Sequence, residues 1–99
     1  MVIPRILISA KAYELLGILR EKESKLDEAL KSYQYAWNLT NENSPSIGFR
    51  YSFLLLKKRE FVKCIEICKK IFDQYPDYPK LEKEVASKAR WSLRNLPVL

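Results

Sequence analysis

The sequence predicts an all-α fold, an α-solenoid of two helical hairpins closed by a C-terminal capping helix, and three observations carry that prediction. The first is an internal echo. Ala29-x-x-x-Tyr33-x-x-Ala36 lies over Cys64-x-x-x-Cys68-x-x-Ile71 at a shift of 35 residues, and the same shift carries Gly17 onto Ser52. A period near 34 residues, with small and large apolar side chains at fixed offsets, marks helix-turn-helix repeats that stack because one hairpin cannot bury its apolar face alone. The second is the scarcity of breakers: two glycines, and prolines only at positions 4, 45, 76, 79 and 97, leave long stretches free to remain helical. The third is apolar spacing at i, i+3 and i+4 rather than strict alternation. With 47% apolar residues in 99, the chain supports one thin-cored domain. A chain of this size buries only about 60–65% of its unfolded surface, so the terminal piece of a longer array is expected.

Residues 1–9 read as a divergent lead or an extension of the first helix. Repeat one then occupies 10–44, a degenerate repeat two 45–78, and the cap 79–96. The first helix runs from about Pro4 or Ser9 to Lys22 and sets Tyr13, Leu16 and Gly17 on one face. Gly17 lowers helix propensity by about 1 kcal/mol against alanine, which predicts close approach of a partner helix. Ser24-x-x-Asp27 reads as a capping box ahead of a second helix that buries Ala29, Tyr33, Ala36 and Trp37. Ser44 and Pro45 supply an N-cap and a first-turn proline for the third helix, which ends near Lys58. Helix four, Glu60 to Gln74, carries Phe61, Cys64, Ile65, Cys68, Ile71 and Phe72 and stops before Pro76. A fifth helix with Asp77 as cap and Pro79 in its first turn extends to about Leu96, where Pro97 halts it. Its Trp91 and the earlier Trp37 are expected in the core, large rings closing the stack.

Charge and cysteine usage narrow the function classes. Residues 1–49 hold six Lys/Arg and six Asp/Glu, whereas residues 50–99 hold twelve and six, so the whole excess of +6 lies in the second half. Such a half can face acidic protein, lipid or nucleic acid. Cys64 and Cys68 sit four apart on one helix face, a poor disulfide geometry, and the chain has no histidine. Core packing is the reading for both thiols, and neither a metal nor a cofactor is expected. With no histidine base, no glycine-rich phosphate loop and no nucleophile elbow, an enzyme is not expected either. The longest purely apolar run, Phe53 to Leu56, is too short for a bilayer span, and a cytoplasmic location is expected.

Tyr13, Leu16, Gly17, Ala29, Tyr33 and Ala36 fall on the tetratricopeptide pattern, answered by Gly48, Tyr51, Ser52, Cys64, Cys68, Ile71 and Pro76. More specifically, Lys11-Ala12-Tyr13-Glu14, Glu21-Lys22-Glu23, Ala36-Trp37, Gly48-Phe49, Tyr78-Pro79-Lys80 and Lys88-Ala89-Arg90-x-Ser92-Leu93-Arg94 resemble the C-terminal end of the tetratricopeptide repeat protein 21 family. That family is the large repeat subunit of intraflagellar transport complex A. The resemblance covers about residues 10–94 and implies a non-enzymatic scaffold that binds other protein subunits of complex A. It would work in retrograde ciliary transport and ciliary cargo entry, at the cilium, the cilium base and the axoneme.

On the repeat pattern, the concave face would present Lys11, Glu14, Ile18, Phe49, Arg50, Phe53 and Lys57 as candidate partner contacts. Tyr13, Leu16, Gly17, Ala29, Tyr33, Ala36, Tyr51, Cys64, Cys68, Ile71, Pro76 and Trp91 would form the repeat-defining core. A chaperone-type carboxylate clamp needs a lysine and an asparagine where this chain has Glu14 and Ile18, and again Phe49 and Phe53. The competing function is a generic adaptor whose basic C-terminal half meets acidic lipid or nucleic acid. Ile6, Leu7 and Leu15 or Leu19 of the first helix are expected to be partly bare, a patch that favours self-association of the isolated chain.

Overall fold

A computed structural model describes residues 3–96, which form α1 (Arg5–Lys22), α2 (Leu26–Leu39), α3 (Pro45–Lys57), α4 (Phe61–Gln74) and α5 (Ser87–Arg94). A π-helical turn over Glu82–Ala86 leads into α5, and there is no strand among the described residues. Each helix packs against the next in sequence, and the result is an elongated slab of 53 × 31 × 19 Å. Nearest-neighbour packing of this kind is the physical definition of a helical-repeat stack.

The sequence echo reappears in the backbone. At the end of α1 the Ser24 N–H donates to the Glu21 carbonyl (3.0 Å) and the Lys25 N–H to Arg20 (2.8 Å). Thirty-five residues on, the Arg59 N–H donates to Leu56 (3.0 Å) and the Glu60 N–H to Leu55 (2.9 Å). Ser24 and Arg59 share a φ of 62°, and Lys25 and Glu60 share φ −92° and ψ 71°. Both are left-handed C-terminal closures that satisfy the last free carbonyls of a helix. The same turn therefore folds each hairpin, although its residues differ.

This geometry corrects the expected capping box. Ser24, in the left-handed region, closes α1 instead of opening α2, whose N-cap position is Lys25 and has no side-chain cap bond. Ser44 does precede Pro45 at the start of α3, but its hydroxyl pairs with Ser46 Oγ at 3.4 Å rather than with a backbone N–H. The start of the fifth helix also differs from expectation. Lys80 adopts a φ of 67° and reverses the chain after Pro79, so neither Asp77 nor Pro79 belongs to the first turn of a helix that begins at Leu81. The expected stop at Pro97 lies outside the described residues; α5 ends at Arg94.

The core runs along the α2, α3 and α4 faces and is completed by Leu81, Val85, Ala86 and Ala89. Ala29, Tyr33, Ala36, Tyr51, Cys64, Cys68 and Ile71 are all buried, as is Trp37. Gly17 is where the predicted close approach occurs: a Cβ there would lie 2.4 Å from Tyr33 Cε1. At Gly48 it would lie 2.7 Å from both Trp37 Cζ3 and Ile71 Cδ1. Both helices come too near their neighbours for any side chain.

Three expected core residues lie elsewhere. Tyr13 is exposed and stacks on Tyr35 of α2, centroids 5.3 Å apart, on the outside of the hairpin. Pro76 is exposed, since it ends the run after α4 by restricting the backbone without packing against anything buried. Trp91 is 62% exposed. It stands two residues beyond buried Ala89, about 200° around a helix of 3.6 residues per turn, on the opposite face. The ring is large enough to close a core, but its helical angle takes it off the buried stripe. Leu16 is half-buried. Because α1 is packed on one side by α2, its Ile6, Leu7, Leu15 and Leu19 remain half exposed or more, as the sequence predicts.

Candidate docking groove

Four of the seven candidate contact residues, Phe49, Arg50, Phe53 and Lys57, line one groove where α1 passes α3, and Lys11 and Glu14 join it only through the ion pair to Arg50. Glu14 and Glu21 stand seven residues apart on α1, and Arg50 and Lys57 seven apart on α3, so two rungs form between the helices. Arg50 Nε lies 3.3 Å from Glu14 Oε2 and Lys57 Nζ lies 3.4 Å from Glu21 Oε2. Lys11 Nζ reaches the other Glu14 oxygen at 3.2 Å, which leaves this buried carboxylate with a cation on each side. A buried carboxylate is tolerated only when paired in this way. Lysine and arginine here therefore answer acids of the same chain.

Between the rungs, Phe49 and Phe53 stack with centroids 6.1 Å apart, and Tyr78 tilts against Phe49 at 6.1 Å. Lys57 Nζ sits 4.9 Å above the Phe53 ring. Both phenylalanines are half-buried and rest on the core, so they pack within the stack and still floor an open groove. The groove encloses about 390 Å³ and is completed by Ser46 and Tyr78. Ile18, the seventh candidate, supports the core from beneath and does not line the groove.

Sequence reasoning missed Glu21 and Tyr78. Glu21 reads as an ordinary solvated charge on α1, but it accepts a 2.7 Å hydrogen bond from the Tyr33 hydroxyl as well as pairing with Lys57. Its spacing of seven from Glu14, matched by Arg50 and Lys57, is the signal that could have found it. Tyr78 lies in the irregular segment after α4, where helical periodicity says nothing about direction.

The Tyr33–Glu21 bond has a pH consequence. Burial first, and then the hydrogen bond to Glu21, push the Tyr33 phenol well above its ordinary range. The folded state thus holds this proton to higher pH than the unfolded chain does. Its stabilising contribution is intact below pH about 10, the ordinary tyrosine value, and is lost as pH climbs through the raised one. Urea midpoints measured across that interval are expected to fall more steeply for the parent than for Tyr33→Phe. Equal slopes would show that another group governs alkaline unfolding.

Both cysteines are free and buried in the core. The Cys64 thiol donates to the Ser52 carbonyl at 3.3 Å, and its pairing with Cys68 together with burial push it far up, away from the reactive thiolate. Among the described residues no group of three or more His, Cys, Asp or Glu is placed to hold a metal ion, and no helix is long and apolar enough to cross a membrane.

Stacked hairpins, a twice-used turn and a groove walled by paired charges define a helical-repeat protein. Residues 8–90 match the family described as the tetratricopeptide repeat protein 21 C-terminal ARM domain. The chain is 44% identical over 84 residues to tetratricopeptide repeat protein 21A of Homo sapiens and 39% identical over 84 residues to protein 21B of Homo sapiens. It is 46% identical over 86 residues to the tetratricopeptide repeat protein 21 homolog of Caenorhabditis briggsae. These matches cover 85%, 85% and 87% of this chain, which spans only 6% of the length of each relative. The chain belongs to the tetratricopeptide repeat protein 21 family. Armadillo and tetratricopeptide arrays are both stacks of helix pairs, so the family description and the hairpins agree.

Proposed function

We propose that this chain is a non-enzymatic docking segment of a ciliary transport scaffold, binding protein subunits of intraflagellar transport complex A through the groove between α1 and α3. The observation that carries the reading is 38–46% identity to tetratricopeptide repeat protein 21 relatives across most of the chain. Retrograde transport and cargo entry at the cilium base and axoneme follow as the setting. The groove supports contact with protein: aromatic rings and an arginine are the side chains that most often anchor interfaces. Its cations are already paired with Glu14 and Glu21, which argues against a phosphate-binding role for this surface.

Capture of complex A subunits on the immobilised chain tests the proposal. Retention at moderate salt is expected, because an apolar interface lacks the steep salt dependence of phosphate binding. The double variant Phe49→Ala/Phe53→Ala is expected to weaken capture by about tenfold or more. Capture of anionic vesicles or nucleic acid alone, with no complex A subunit, would overturn the scaffold reading.

A further inference from the structure

A second groove lies where the α3–α4 turn meets α5, and it shares no residue with the first. It encloses about 670 Å³, with Leu56 and Phe61 as floor and Trp91 as an open wall. Trp91 is 62% exposed, more than any other large apolar side chain among the described residues. Leaving such a ring in water keeps a large apolar surface from burial.

Charge distinguishes this groove from the first. Arg59, Lys88 and Arg94 line it and no acidic residue does. Among the described residues none of these three cations has a carboxylate within ion-pair distance, whereas Arg50, Lys57 and Lys58 are each paired. Arg90, the residue before Trp91, is held by Glu82. Arg59 is poised over the Phe61 ring at 5.7 Å, at the left-handed corner that closes α3. Three uncommitted cations thus surround an apolar floor.

We propose that this groove docks an acidic protein segment, with aliphatic or aromatic anchors seated against Trp91, Leu56 and Phe61 and carboxylates on Arg59, Lys88 and Arg94. Charge complementarity selects this occupant. A second copy of the chain would bring the bare face of α1, flanked by Arg5 and Lys22, which the groove repels. A bilayer surface is too flat to reach Leu56 and Phe61 inside the concavity. A nucleic-acid base stacked on Trp91 would satisfy the ring and leave that floor empty.

Selection of a phage-displayed library of random short peptides on the immobilised chain tests the inference without presuming a sequence. Enriched peptides are expected to carry Asp or Glu beside apolar anchors. They should bind Trp91→Ala and, independently, Lys88→Glu/Arg94→Glu about tenfold more weakly, and Phe49→Ala/Phe53→Ala unchanged. Because Trp91 is largely in water, Trp91→Ala is expected to melt within a few degrees of the parent, and the charge variant serves where it does not. Neutral or basic peptides, indifference to both variants, or loss of binding on the Phe49/Phe53 variant would overturn the proposal. So would Trp91-dependent binding seen only with phosphatidylserine vesicles or single-stranded DNA. Failure here leaves the complex A reading standing, since that reading rests on the other groove.

Discussion

Trp37→Ala is expected to lower the melting point by roughly 15–30 °C. The ring is 2% exposed and sits between α2 and α3, touching the space that Gly48 leaves open. Truncating a buried tryptophan costs about 3–5 kcal/mol, and a domain of this length has on the order of 5–15 kcal/mol in all. Trp37→Phe separates packing from polarity. The Trp37 Nε1 is buried with no hydrogen-bond partner among the described residues, and an unmet donor carries a penalty of about 1–3 kcal/mol. Phenylalanine removes that penalty while keeping most of the volume, so its melting point should lie much nearer the parent. An alanine variant that melts with the parent would show that the stack does not depend on this ring.

Gly17→Ala is expected to destabilise the chain, against the sign of helix propensity. Alanine would gain about 1 kcal/mol as a helix former, but its Cβ would lie 2.4 Å from Tyr33 Cε1. The tyrosine cannot swing aside, because it is fully buried and its hydroxyl is anchored on Glu21. Overpacking of this kind costs about 1–3 kcal/mol and more where the neighbour is fixed. A net loss near 2 kcal/mol corresponds to roughly 10 °C in a domain of this size. Adding Tyr33→Leu should cost less in the Gly17→Ala background than in the parent, since the two changes share one contact. Strict additivity, or a stabilised Gly17→Ala, would remove the close-packing explanation.

Legibility followed the physics of each feature. Local periodicity showed which helices exist and which faces of α2 and α4 are buried, because a stack of nearest neighbours leaves few long-range contacts to override it. It failed where the chain departs from a helix. Ser24 carries the composition of an N-cap, yet the left-handed closure of α1 claims it. Asp77 and Pro79 look like a helix start until the reversal at Lys80 intervenes. Trp91 departs from the core for another reason: the buried stripe through Leu81, Val85 and Ala89 does not extend to it, because two residues from Ala89 is the far side of the helix. Phe49, Arg50, Phe53 and Lys57 do share one surface, since their offsets along α3 set them on one side of that helix.

By itself the sequence determined the all-helical class, the 35-residue hairpin period, the glycine contact and the family, since each depends on residue type at fixed spacing along one chain. Tertiary structure alone decided which charges are committed. Arg50 and Lys57 look as free as Arg59 and Lys88 until α1 is laid beside α3, where Glu14 and Glu21 meet the first pair and leave the second in water. Ion pairing depends on distances of a few ångströms between residues 36 positions apart, and no periodicity within one helix records them.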